Sequence, residues 1–315
     1  LSFAATIVVS VGVSAFLSGG STATTAVIVD YSPTLSDVPA LLYVAARPDV
    51  DLLAVTLPGT GESSCAAGVR HTRQLLALVG RGDVPVGCGG ERPLSGDRDW
   101  PEPWRRSADA LEGLVLPAVL DVPTPDAVDL LAETISAGER PVTVLTLSSL
   151  TKLGALVRDH PEAVDGVERI VTMGGALDVL GNVEDEPSTE WNLYIDPEAT
   201  RLVLESGIPL TLVPLDATND VPGNRRLIAR AQLAEGHPAG VASAQFWRAN
   251  ADALVGEGFY FWDELAATVT FEPDLVALER RNVVVIEGLG ATVEDPWGTP
   301  VLVAVSADQL RFEQH

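Results

Sequence analysis

Runs of apolar, β-branched residues alternate with longer segments of helical periodicity along most of this chain. Because the strand segments are apolar on both faces, they predict a parallel sheet covered by helices on each side, a doubly wound α/β fold. With 46% hydrophobic residues, the chain is rich enough in apolar side chains to build such a core. The predicted strands are residues 24–30, 51–59, 83–90, 141–149, 167–175 and 208–216, and the predicted helices 38–48, 65–80, 124–138, 150–164 and 196–207.

The segments outside this alternation have their own signals. Thr124 is predicted to cap the helix that follows it. Residues 95–106 contain two prolines and two tryptophans and predict an irregular loop at the rim. Residues 220–260 predict a helical insertion, and the chain closes with a pair of strands around VVVIEG and VLVAVSAD. We expect one domain over residues 25–315.

The first 29 residues carry no charge, and their apolar run is followed by small and polar residues. This pattern predicts a signal peptide or membrane anchor over residues 1–24 and therefore an exported protein; without it we would expect a cytoplasmic one. Cys65 and Cys88 are the only cysteines. In an exported protein they could pair as a disulfide, and otherwise they would be two small buried side chains.

The charge of the chain limits its partners. Acidic residues outnumber basic ones by 44 to 20, which gives a formal net charge of −24. Such a surface repels phosphate backbones, so we expect no nucleic-acid binding and favour a neutral small molecule, or one reached through a cation. A homo-oligomer is compatible with the sequence, which does not fix the oligomeric state.

Polar side chains follow the predicted strands, where parallel sheets place their ligand sites. After the first strand the chain reads D-Y-S-P-T-L-S-D from Asp30 to Asp37, and after the fourth it reads S-S-L-T-K. Further along come M-G-G, G-N, E-W-N, D-P-E-A, L-D-A-T and W-D before an apolar helix. In this order, these motifs resemble the inosine-uridine-preferring nucleoside hydrolase family over about residues 25–312.

The resemblance implies hydrolysis of the N-glycosidic bond of a ribonucleoside or related riboside, with a bound Ca²⁺ that activates water. Asp37, Asp263 and the carbonyl of Leu147 match family metal ligands, and Asp30 matches an acidic residue behind the metal. The resemblance places Asp37, Asp263 and Ser32 at catalytic positions. The positions that contact substrate in the family are occupied here by Ser36, Asn182, Glu190, Asn192 and Trp262.

Departures from the family pattern concern the same site. Ser32 replaces the aspartate that accepts a proton from water, and Ser36 replaces one that holds a ribose hydroxyl. Trp262 and Asp109 stand at positions of family histidines. A hydroxyl is a weaker base and metal ligand than a carboxylate, so we expect weakened Ca²⁺ affinity and slow turnover.

Two other interpretations stay open at this stage. A catalytically inactive protein that binds ribose or nucleoside would keep Asp37, Asp263, Glu190 and Asn192 without turnover. A phosphatase of the haloacid dehalogenase type would explain the D-Y-S-P-T segment but not the M-G-G, G-N and E-W-N motifs. Each site residue also has a structural interpretation: Asp37 as a helix cap, Asn182 as a turn residue, Glu190 and Asn192 as surface groups, and Trp191 or Trp262 as core or as a base-stacking surface.

Overall fold

A computed structural model describes residues 24–231, 236–256 and 258–314. The predicted signal segment, residues 1–24, lies outside this part of the chain except for its last residue. The strands are β1 (Thr25–Asp30), β2 (Val50–Pro58), β3 (Val86–Gly89), β4 (Val142–Thr146), β5 (Val167–Met173), β6 (Leu210–Val213), β7 (Val276–Val285), β8 (Thr292–Glu294) and β9 (Thr299–Ala307).

Helices follow most of the strands, as the alternation predicts. They are α1 (Asp37–Ala46), α2 (Cys65–Leu78), α3 (Glu102–Ala110), α4 (Ala127–Ala137), α5 (Thr151–Asp159), α6 (Trp191–Ile195), α7 (Pro197–Glu205), α8 (Leu215–Thr218), α9 (Arg225–Ala231), α10 (Pro238–Ala249), α11 (Ala251–Leu254), α12 (Trp262–Phe271) and α13 (Gln309–Phe312). Two 3₁₀ turns span Pro161–Gly166 and Pro273–Leu275. In the described residues no helix is long and apolar enough to cross a membrane.

The nine strands of the described residues form one sheet in the order β3-β2-β1-β4-β5-β6-β9-β7-β8. The strands from β3 to β9 along this order pair in parallel, and β7 and β8 join antiparallel at one edge. The predicted doubly wound, mainly parallel sheet is therefore confirmed, including the closing strand pair, in which β8 is an additional short partner of β7.

The core lies on both faces of the sheet. Alternate residues of β1 enter different apolar clusters: Val27 and Val29 pack with α1, α2 and α12, whereas Ala26 and Ile28 pack with α4, α5 and α7. This period of two on a strand buried on both faces explains why β1 is apolar at every position from Ala26 to Val29.

Two local predictions are wrong. The helix predicted to begin after Thr124 is capped by Asp126, whose carboxylate accepts from the backbone N–H groups of Val128 and Asp129. Part of the segment predicted to be irregular forms α3. Pro103 is compatible with this helix because it lies in the first turn, where backbone N–H groups have no partner within the helix.

The two cysteines form a disulfide in the structure. The Cα atoms of Cys65 and Cys88 are 5.7 Å apart, and the bond joins the start of α2 to the end of β3. Both residues therefore lie at the carboxyl edge of the sheet, where the polar motifs also lie. The bond fixes the loop of residues 59–64, which leads into α2.

Candidate active site

The turn after β1 places a buried carboxylate at the start of α1. Asp37 is 4% exposed, and its Oδ1 accepts a long hydrogen bond of 3.4 Å from the backbone N–H of Ser32. Its Oδ2 accepts from the hydroxyl of Thr34. Burial raises the pKa of Asp37 well above its usual value, and the nearby charge of Asp263 raises it further. Two carboxylates therefore meet in a region from which water is largely excluded.

Asp263 is the second residue of α12 and has an unsatisfied oxygen. Its Oδ1 is buried and has no hydrogen-bond partner. Burial raises the pKa of Asp263 to about 8, the neighbouring hydroxyl of Ser36 lowers it, and the charges of Glu190 and Glu62 raise it further. An orphaned carboxylate oxygen in a buried site is costly unless a ligand occupies it, so this atom marks a position for a positively charged or hydrogen-bonding group.

The hydroxyl of Ser36 connects the turn after β1 to α12. It donates to Oε2 of Glu264 at 2.8 Å and accepts from the backbone N–H of Asp263 at 3.1 Å. Burial, followed by the charge of Asp263, raises the pKa of Glu264 well above its usual value, and the indole of Trp247 lowers it. The single proton of Ser36 is therefore engaged with a carboxylate inside the protein.

Behind this turn lies Asp30, the last residue of β1. Its Oδ1 accepts a 2.7 Å hydrogen bond from Thr56, while its Oδ2 is buried without a partner. Burial raises the pKa of Asp30 to about 7, against the opposing effects of Thr56 and Lys152. Lys152 is itself buried, which lowers its pKa, and its Nζ donates to the carbonyl of Gly90 at 3.3 Å. The sequence analysis gave no role to this buried cation, although it ends the S-S-L-T-K motif.

Glu190 and Asn192 lie at the start of α6 and are buried. The Asn192 side-chain amide donates to the carbonyl oxygens of Leu147 and Met173, each at 3.3 Å. Glu190 accepts from the backbone N–H groups of Gly175 at 3.0 Å and Asn192 at 2.9 Å, and burial raises its pKa to about 7. Glu190 therefore caps α6 and also contributes its charge to the cluster. Because Glu190 is 2% and Asn192 6% exposed, the interpretation of these two residues as surface groups is wrong.

Asn182 and Trp262 lie at the margins of this group. Asn182 is exposed, and its Oδ1 accepts from the backbone N–H of Trp191 at 3.1 Å, which is the behaviour of a turn residue. Trp262 is half-buried and packs edge-on against Phe259, and its indole N–H is buried without a partner. Asp109, at a family histidine position, accepts from the backbone N–H of Ser64 at 2.7 Å.

An aromatic surface stands beside Glu190 and Asn192. Trp191 stacks on Trp100 with ring centroids 5.2 Å apart and planes 23° from parallel. Trp104 and Tyr194 meet Trp191 edge-on. The indole N–H of Trp100 donates to the carbonyl of Thr60 at 2.9 Å, which brings residues 95–106 onto the rim of the site. The tryptophans of that segment were visible in the sequence, but their contact with Trp191 was not.

Glu62 is a site residue that the sequence analysis missed. It lies in the loop after β2, and burial raises its pKa to about 7. Its charge also raises the pKa values of Asp37 and Asp263. An acidic residue at the carboxyl end of a strand was the available signal, but no family motif covers this position.

The donors that could hold a cation are the carboxylates of Asp37 and Asp263 and the carbonyl of Leu147. Oxygen ligands of this kind suit Ca²⁺, and the orphaned Oδ1 of Asp263 fits such an occupant. Over the described ranges, however, no group of three or more His, Cys, Asp or Glu side chains is preassembled around a metal position. The described residues therefore offer fewer carboxylates at this position than the family pattern provides.

Hydrogen bonds and charge interactions link the predicted residues into one group. The charges of Asp37 and Asp263 interact, as do those of Asp263 and Glu190. Glu190 accepts a hydrogen bond from the backbone of Asn192, whose side chain donates to the Leu147 carbonyl. The backbone N–H of Leu147 in turn donates to the carbonyl of Asp30 at 2.8 Å. Two cavities lie to the side of this group: one of about 600 Å³ runs along the disulfide, and one of about 500 Å³ lies behind Glu264. The chemistry of the carboxylates, rather than cavity size, therefore locates the candidate site.

A mainly parallel sheet with buried carboxylates at its carboxyl edge defines the class as a doubly wound α/β protein with an acidic site at the end of its strands. The model of the inosine-uridine preferring nucleoside hydrolase family matches residues 27–314, so the chain belongs to this family. Among curated relatives, the pyrimidine-specific ribonucleoside hydrolase RihA of Citrobacter koseri is 35% identical over 194 residues, and that of one Escherichia coli strain is 34% identical. Each match covers 61% of this chain and 61% of the relative's length.

Solved structures agree on the fold. An inosine-uridine preferring nucleoside hydrolase from Bacillus anthracis superposes with a TM-score of 0.80 at 26% identity, over 92% of this chain and 97% of that one. A plant nucleoside hydrolase, PpNRh1, gives a TM-score of 0.78 at 25% identity, over 92% and 96% of the two chains.

Proposed function

We propose that this protein hydrolyses the N-glycosidic bond of a ribonucleoside or related riboside, slowly and with the help of a bound Ca²⁺. The observation that carries the proposal is the buried pair Asp37 and Asp263, with the orphaned Oδ1 of Asp263, in a nucleoside hydrolase fold. Family membership and the RihA relatives support the reaction class.

In this proposal Asp37, Asp263 and the Leu147 carbonyl hold the cation. When bound, Ca²⁺ would draw in the ribose diol and lower the pKa of a water molecule. The surrounding carboxylates supply negative charge toward the sugar, where positive charge develops in an oxocarbenium-like transition state. Asp30 lies behind the turn as a further negative group, and Lys152 offsets part of its charge.

The sugar and the base would contact different side chains of the site. Asn192 presents its amide near the Leu147 carbonyl, and Glu190 holds α6 in place through backbone N–H groups. Asn182 would contact the substrate from the exposed edge of the site. The leaving base would stack on the aromatic rings around Trp191. Trp262 would donate a hydrogen bond to the base from its indole N–H, which has no hydrogen-bond partner among the described residues.

Slow turnover follows from Ser32. Its hydroxyl is a poor base, and it is already bonded to Ser63, from whose backbone N–H it accepts at 2.9 Å. A general base typically contributes about 10²–10⁴-fold to rate. We therefore expect weak but measurable release of base.

Release of free base from inosine and uridine, with Ca²⁺ and with EDTA, tests the proposal. We expect slow, Ca²⁺-dependent release that Asp263→Asn abolishes and that Ser32→Asp raises by roughly tenfold or more. Asp252→Asn is the control, because this aspartate is exposed on α11. If wild type and Ser32→Asp bind nucleoside but release no base under either condition, the protein is a binding protein rather than a hydrolase.

We also propose that the protein is exported. A structural disulfide between Cys65 and Cys88 supports this, because such bonds persist mainly in oxidising compartments. Fractionation of the native producing cells tests it: the chain should be found outside the cytoplasm, and a fully cytoplasmic chain with free thiols would contradict it.

A further inference from the structure

The cavity of about 500 Å³ behind Glu264 is lined by residues of α1, α9, α10, α12 and α13. Its volume is typical of sites for small molecules and far exceeds the room that one ordered water needs. Three aromatic rings contribute to its wall, those of Tyr43, Trp247 and Phe312. The cavity can therefore take an organic group about as large as an aromatic ring.

Glu264 brings a buried carboxylate to this wall. The residue is 7% exposed, and its Oε2 accepts the 2.8 Å hydrogen bond from Ser36. The indole of Trp247 lies close enough to lower the pKa of Glu264, but Oε1 has no hydrogen-bond partner among the described residues. A buried carboxylate oxygen without a donor is costly, so this side of the cavity favours a ligand that donates a hydrogen bond.

Glu313 is a second buried carboxylate in the same wall, also 7% exposed. Its Oε1 accepts from the side-chain amides of Asn224 at 3.3 Å and Gln309 at 3.2 Å. Its Oε2 has no hydrogen bond in the described ranges and is 3.8 Å from Nε of Arg226, whose side chain is 68% exposed. Two acids with incompletely satisfied oxygens therefore line one cavity.

The basic residues of the wall do not offset these acids to the same extent. The guanidinium of Arg47 donates to both carboxylate oxygens of Asp49, at 3.0 and 2.8 Å. His237 accepts from the backbone N–H of Ala239 through Nδ1, and Arg230 is exposed, where solvent screens its charge. The buried part of the wall is therefore the acidic part.

We propose that this cavity is a second ligand site, which binds a small organic ammonium ion with an apolar body. The ammonium group would donate to the buried carboxylates, and the aromatic rings would contact the apolar body and attract the positive charge. Ser36 connects this site to the candidate active site, because its hydroxyl donates to Glu264 and accepts from the backbone N–H of Asp263. The second site goes beyond the proposed hydrolysis and does not depend on it.

Three probes of equal size and different charge test the proposal: benzylammonium, benzyl alcohol and benzoate. Calorimetric titration in EDTA, together with the ligand-induced rise in melting temperature, measures their binding without relying on turnover. We expect benzylammonium to bind about tenfold or more tightly than benzyl alcohol, because a hydrogen bond to a charged group is stronger than one between neutral groups. Benzoate should not bind, because its charge repels Glu264 and Glu313.

Glu264→Gln removes the charge and keeps an oxygen that can accept from Ser36. This variant should lower benzylammonium affinity about tenfold or more and change benzyl alcohol affinity little. The matched control is Glu91→Gln, which removes the same charge from an exposed position after β3 and should bind benzylammonium like wild type.

A blocking variant keeps the test independent of Glu264. Ser243 lies half-buried on α10 in the cavity wall, so Ser243→Leu should fill space and weaken both benzylammonium and benzyl alcohol. A wild type that binds no benzylammonium, or that binds benzyl alcohol equally well, would overturn the proposal. Binding that persists in Ser243→Leu but is lost in Asp263→Asn would also overturn it, because the ligand would then occupy the candidate active site.

Discussion

Removal of the disulfide should lower stability by an amount that follows from its position. The bond joins residues separated by 23 positions, and a loop of this length restricts the unfolded chain by about 3.4 kcal/mol at 25 °C. Unfolding entropy is about 2.1 cal/mol/K per residue, so roughly 290 ordered residues give about 0.6 kcal/mol/K. Cys65→Ser with Cys88→Ser should therefore lower the melting temperature by about 5–6 °C.

Differential scanning calorimetry of the oxidised wild type and the double variant measures this shift. A strong reductant should bring wild type to the melting temperature of the double variant and leave the double variant unchanged, which separates loss of the bond from an effect of the substitutions. Thiol titration of the unfolded, unreduced wild type should find no free thiol. Two free thiols, or a shift below about 1 °C, would refute the reasoning, because the unfolded chain would then not be restricted by the bond.

Three further outcomes follow from the site. Ser36→Asp should destabilise the protein by about 3–5 kcal/mol in urea unfolding, because it replaces a donor to buried Glu264 with a second carboxylate; equal or greater stability would contradict that hydrogen bond. The pKa of Asp30 is raised from 3.8 to about 7, so its protonated form is favoured on folding, and the free energy of unfolding in EDTA should fall as pH rises from about 4 to 7. Asp30→Asn should flatten that part of the pH profile, and an unchanged slope would exclude Asp30 as its source. Gly181→Ala should cost more than about 2 kcal/mol, because its Cβ would lie 1.8 Å from the carbonyl oxygen of Thr189; an unchanged urea midpoint would show that the loop relaxes freely.

Ser32 and Ser36 show what the sequence motifs predicted about the site and what they could not predict. Their identity as replacements for aspartates was visible from the order of residues in the turn. Only the coordinates show where each hydroxyl goes: Ser32 to the loop at Ser63, and Ser36 to Glu264 on α12. Ser36 and Glu264 are separated by 228 positions, so no local pattern could pair them. An aspartate at position 36 would therefore face the buried carboxylate of Glu264.

Alternating apolar segments determined the sheet, because a strand buried on both faces needs apolar residues at every position. The motif order likewise determined the family and the edge of the sheet at which Asp37 and Asp263 lie. Tertiary structure alone decided that Cys65 and Cys88 are bonded and that Trp100 stacks on Trp191. These are contacts between loops at the ends of different strands. Local periodicity carries no information about them, because the packing of the whole sheet sets their distances.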